Sequence, residues 1–90
     1  MDDKEFCVLL GEEIQRRRER LRMTQTEMAD KARIHRNTLW RYEAGRDIPM
    51  VIFMRVCKVL GVPMIELLES VLPDARKRIA EANGLKIKGK

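Results

Sequence analysis

Ninety residues with 44% hydrophobic and 37% charged positions and a net charge of +5 suffice for a single globular domain with a modest core, which helices bury most economically at this length. No apolar run approaches the ~20 residues that span a bilayer, and the Met-Asp-Asp-Lys-Glu start carries no secretory pattern, so no membrane partner and a cytoplasmic setting are expected. Two cysteines and one histidine cannot furnish an ordinary four-ligand zinc site at motif spacing; no metal or cofactor is expected.

Residues 3 to about 22 read as a long first helix. Phe6, Leu10, Ile14 and Leu21 can share one face, and acids in its first half with arginines in its last turns agree with the helix dipole. The pairs Asp2-Asp3 and Glu12-Glu13 read as dipole partners at a helix start, not as an acid/base dyad. Charge is uneven along the chain. Residues 1–13 hold five acids and one base, residues 16–46 ten bases and four acids, and residues 73–90 six bases and two acids. Of the five arginines between Arg16 and Arg22, most are expected in solvent or near phosphate. Cys7 and Cys57 lie among apolar neighbours and read as small buried hydrophobes in a reducing compartment.

Residues 24 to 45 carry the densest pattern, two short helices joined by a tight turn. Thr24 suits an N-cap and Glu27 completes a capping box. Met28, Ala29 and Ala32 form an apolar stripe, Ile34 is an apolar plug after the turn, and Leu39 and Tyr42 face inward from the second helix. Gly45 stops that helix. Arg36, Asn37, Trp40 and Arg41 then fall at i, i+1, i+4 and i+5 on its outward side. Arg can fork onto guanine edges and Asn onto adenine edges in a major groove. Trp40 can touch a thymine methyl or a sugar, stack with Arg36 or Arg41, or pack on a second protein. Arg41 can read a base or clamp the backbone. His35 stands alone and reads as a capping or surface residue.

Pro49 precedes a helix over 50 to 60 in which Phe53, Val56, Cys57 and Leu60 follow the i, i+3, i+4, i+7 template. Gly61 caps it. Pro63 opens a fifth helix, Met64 to about Leu72, with Ile65, Leu68 and Leu72 along one side. Pro73-Asp74 starts a last helical segment, Ala75 to Ala82, anchored by Ile79, and the end from Leu85 is expected to fray. The helix-dense core is placed at 10–68, within one domain spanning 1–90, and the extension at 69–90.

The stretch resembles the helix-turn-helix of the phage repressor and Cro family (lambda-repressor-like, XRE type). The matching residues are Leu10-Gly11, Ile14, Arg18, Thr24-Gln25, Met28-Ala29, Ile34, Thr38-Leu39, Tyr42-Glu43 and Gly45, continued by Pro49 and Leu60-Gly61-Val62. Two positions depart: Arg33 stands at a turn where the family has Gly, and His35 where it favours Ser or Thr. The resemblance implies an all-α, compact five-helix domain and sequence-specific binding of double-stranded DNA by a transcriptional regulator of phage, prophage or mobile-element type. It implies a buried ion pair between Arg18 and Glu43, phosphate contacts from Thr24, Gln25, Thr38 and Arg46, and base reading by Arg36, Asn37, Trp40 and Arg41. Such regulators commonly bind inverted repeats as homodimers, and Ile65, Leu68, Leu72 and Ile79 are candidates for the dimer contact or for closing the monomer's core. An antitoxin that holds both DNA and a protein toxin, or a protein-bridging coactivator module, would use the same fold. No Ser/His/Asp or Cys/His set and no phosphate-binding glycine loop is legible, so catalysis is not expected.

Overall fold

The computed structural model describes residues 2–72, which form five helices: α1 (Asp3–Arg20), α2 (Gln25–Ala32), α3 (Arg36–Glu43), α4 (Met50–Leu60) and α5 (Met64–Val71). No strand occurs among the described residues. The segment expected at 75–82, with Ile79, lies outside them.

Local chemistry sets the helix ends. Asp2 caps α1, its carboxylate accepting from the Glu5 amide at 2.7 Å, so the acid sits on the positive end of the dipole. The helix stops at Arg20, short of the expected 22, because Arg22 turns left-handed at φ 58°. Leu21 becomes the C-cap and lies 50% exposed, off the apolar face assigned to it. At α2 the capping box closes on both sides: the Thr24 hydroxyl accepts from the Glu27 amide at 3.1 Å, and the Glu27 carboxylate accepts from the Thr24 amide at 3.0 Å. The bond from the Thr24 amide, and after it the Thr24 hydroxyl, hold the Glu27 carboxyl below its ordinary range.

The helices close into a ring. α1 packs on α3 and α5, α2 on α3 and α4, and α4 on α5. Ile14, Met28, Leu39, Val56, Cys57 and Leu67 are fully buried inside it, one apolar residue or more from every helix. Leu10, Phe53, Val62 and Val71 extend this core, and Ile34, Leu60 and Leu68 pack against its edge. On α5 the core face is therefore Leu67 and Val71, not the Ile65, Leu68 and Leu72 side. Cys57 is in the core, and desolvation pushes its thiol up to about 11. Cys7 is only half-buried. It lines an open cleft together with Asp3, Lys4, Gly45 and Asp47, so it is not the buried hydrophobe its neighbours suggested.

One further reading of α1 is corrected by its length and another by a tertiary bond. Glu13 is mid-helix, far from the N-terminus, and buried. Its carboxylate accepts from Arg16 and, at 2.7 Å, from Arg17 Nε. Arg17 in turn reaches the Ser70 hydroxyl on α5 at 2.8 Å. A residue read as loose surface charge thus ties α1 to α5.

Candidate nucleic-acid interface

The outward face of α3 is positioned by what happens on its inner face. Leu39 is fully buried and Glu43, one turn later, is buried as well. Glu43 is the hub. Its two carboxylate oxygens accept from Arg18 Nε at 2.7 Å and from the Arg18 terminal NH2 at 3.0 Å, a forked pair of the kind that fixes orientation as well as distance. Gln25 Nε2 adds a third bond at 3.0 Å. The other Arg18 nitrogen donates to the Met23 carbonyl at 2.8 Å. One guanidinium therefore joins α1, the turn before α2 and the end of α3, and Gln25 brings in the start of α2. The bond to Glu43 holds the Arg18 guanidinium protonated to still higher pH than usual, outweighing its burial.

Glycine at two positions lets α3 lie this close to α1. A Cβ on Gly11 would meet the Tyr42 carbonyl oxygen at 2.4 Å and that of Glu43 at 2.7 Å. These are backbone atoms that cannot swing aside. Gly45 ends the α3 segment at φ +102°, where a Cβ would also press on Val8 at 2.9 Å. Only glycine adopts such a conformation at little cost.

With the inner face locked, Arg36, Asn37, Trp40 and Arg41 are all exposed. Trp40, the chain's single tryptophan, shows 59% of its surface. Burying aromatic surface is favourable, and here that surface faces water beside Arg36, Asn37 and Arg41. Thr38 is half-buried at the stripe's edge, its hydroxyl 3.5 Å from the Arg41 guanidinium. His35 is the N-cap of α3 by its backbone only; its side chain makes no capping bond. The capping box uses the amides of Thr24 and Glu27 and leaves those of Gln25 and Thr26 at the α2 N-terminus, where unsatisfied N–H groups favour an anion. Gln25 commits one amide N–H to Glu43 and keeps the other. Arg46 is exposed in the loop after α3.

Residues 9–70, most of the chain, match the family model described as Helix-turn-helix domain. The chain belongs to the helix-turn-helix domain family. A comparison with curated proteins returned no match. In this helix-turn-helix protein, α2 and α3 are the paired helices and the left-handed residue Arg33, φ 57° and ψ 47°, is the turn between them. The family makes the protein a DNA-binding regulator. Among the described residues no helix is long and apolar enough to cross a membrane.

Of the residues considered for a dimer contact, Ile65 is 57% exposed, Leu68 and Leu72 are half-buried, and Ile79 is outside the described residues. Sequence reasoning missed the Met23 carbonyl, the Gln25–Glu43 bond and the Glu13–Arg17–Ser70 chain. The Met23 contact uses a backbone atom, and the Gln25–Glu43 and Arg17–Ser70 bonds join residues 18 and 53 positions apart, which no local periodicity records; Glu13–Arg17 sits at the legible i,i+4 spacing, masked by the reading of Glu13 as a helix-start acid.

Proposed function

We propose that this protein binds double-stranded DNA sequence-specifically and represses transcription, as a Cro/C1-type regulator of phage, prophage or mobile-element origin acting in the cytoplasm, by binding and without catalysis. Residues 35–44 enter the major groove. Arg36 and Asn37, nearest the N-terminus of the reading helix, contact base edges. Arg41 and Trp40, one helical turn further along α3, contact bases or backbone in the same groove, and Thr24, Gln25, Thr38 and Arg46 hold phosphates on either side. The observation that carries this reading is the contrast across α3: an exposed Arg-Asn-Trp-Arg stripe on a helix whose opposite side is fixed by Leu39 and the Glu43 hub. Eight helical residues make few base contacts, so a homodimer on an inverted repeat, with reading helices ~34 Å apart, would double them. The outer side of α5, with Ile65, Leu68 and Leu72, is the dimer surface in this reading.

Selection of bound duplexes from a random library is the test, followed by titration at several salt concentrations with Trp40 fluorescence as reporter. A two-fold symmetric site, affinity falling steeply with salt and a change in Trp40 emission on binding are expected. Weak, salt-insensitive binding without a selected sequence would favour a protein-bridging module and refute this function.

A further inference from the structure

Beside α3 lies a second cationic feature that the reading stripe does not use. α2 packs between α3 and α4, while α3 and α4 touch each other little. On the α4 side of α2 the two helices leave a cleft of about 460 Å³, lined by Lys31, Arg33, Arg55 and Lys58 over a floor of Ala32 and Val59. Four of the six lining residues are cations and none is an acid. All four are exposed, and none takes part in an ion pair among the described residues. Glu27, one turn before Lys31, is held by its capping box and feels Lys31 only as the weakest of its influences. Four like charges around one opening repel one another unless an anion sits among them.

Arg33 makes the placement more telling. It holds the left-handed turn at φ 57°, a conformation that L-residues avoid and that glycine would adopt freely. The strained residue is thus also one that delivers a guanidinium to the cleft. Arg33 is three residues before Arg36, so their Cα atoms are at most ~10–11 Å apart. The major groove is ~12 Å wide, and the cleft lies about one helix diameter, ~10–12 Å, to the side of α3. A duplex seated on α3 with its backbone running over α2 would bring phosphates within a side chain's reach of the cleft.

Resting on the DNA-binding reading above, we propose that this α2–α4 cleft is a separate phosphate-binding site, taking backbone phosphates of the duplex beside the groove that α3 reads. Arg33 and Arg55 fork onto phosphate oxygens and Lys31 and Lys58 act as point charges. The site adds affinity and salt dependence without sequence preference, because phosphates are the same at every base pair.

The test is fluorescence anisotropy of the full chain on a labelled duplex across a salt series, for the wild type, R33G, and the triple variant K31Q/R55Q/K58Q. R33G is decisive because glycine suits the turn: its melting temperature is expected to equal or exceed that of the wild type. Its slope of log K against log salt is expected to be shallower by about 0.9, one phosphate contact, and that of the triple variant by about 2.7. Both losses should be equal on selected and scrambled duplexes. Wild-type slopes in both variants would overturn the proposal. So would tight, variant-sensitive binding of tripolyphosphate or a polyglutamate peptide to the DNA-free protein with the DNA slope unchanged. A wild type that shows no salt-dependent DNA binding at all would instead refute the DNA reading itself, a failure visible before any variant is made.

Discussion

Replacing Glu43 by alanine should unfold this domain more than it alters base choice. The carboxylate accepts three hydrogen bonds, two from Arg18 and one from Gln25, at 2.7 to 3.0 Å. Its loss leaves the Arg18 side chain, only 10% exposed, with the Met23 carbonyl as its one remaining partner. Removing one member of a buried pair costs ~3–5 kcal/mol, because an uncompensated charge stays behind. A domain of this size is stable by roughly 5–10 kcal/mol, so the variant would keep a small part of that. With a urea m-value near ~1 kcal/mol/M, the midpoint in circular dichroism should fall by about 3 M or more. Replacing both partners with apolar residues, Arg18→Met with Glu43→Leu, removes the stranded charge along with the pair. Such replacements are often neutral or stabilising by ~1–4 kcal/mol, so the double variant should recover most of the midpoint. Gln25 and the Met23 carbonyl lose a partner in it, but both residues are half-buried and can turn to water. DNA affinity measured on the folded double variant should survive. A Glu43→Ala protein that melts like the wild type would refute the claim that this pair locks α3.

Gly11→Ala should destabilise by more than ~2 kcal/mol in a urea melt, although Gly→Ala inside a helix ordinarily gains ~0.5–1 kcal/mol. The sign reverses because the new Cβ lies 2.4 Å from the Tyr42 carbonyl oxygen, which forces α1 and α3 apart. Trp40→Ala should leave stability within about 0.5 kcal/mol, as exposed sites do, yet weaken DNA binding in anisotropy titrations; unchanged affinity would exclude Trp40 from the interface. Burial raises the Cys57 thiol from 9.0 to about 11, so its protonated form favours the fold. That contribution is complete below pH 9 and is lost as pH rises toward 11, about 3 kcal/mol in all. Denaturation at pH 8 and 11 should show the loss, and a Cys57→Ala background should remove that component. In the native protein a thiol reagent at pH 8 should label half-buried Cys7 well before Cys57; equal rates would contradict the burial difference.

Helix identity was legible along the described chain, because each helix carries a local reason to exist. Thr24 and Glu27 cap one another, Met28, Ala29 and Ala32 repeat at helical spacing, and Pro49, Gly61 and Pro63 punctuate α4 and α5. The stripe of Arg36, Asn37, Trp40 and Arg41 was legible for the same reason: residues i, i+1, i+4 and i+5 on a helix share a side wherever that helix is placed. Errors came where position along a helix was used to infer burial. Glu13 looked like a helix-start acid and is a buried ion-pair acceptor, and Leu21 fell at the C-cap, past the end of α1 at Arg20.

Spacing and capping within a short window, then, determined the helices, the turn and the exposed stripe of α3, since those depend on bonds and contacts between near neighbours in the chain. Only the tertiary structure decided which partners Glu43 holds, why position 11 has no side chain, and that Lys31 and Arg33 share a cleft with Arg55 and Lys58. These features join residues 18 or more positions apart. Their distances follow from how the ring of helices closes, and no periodicity in the sequence records that closure.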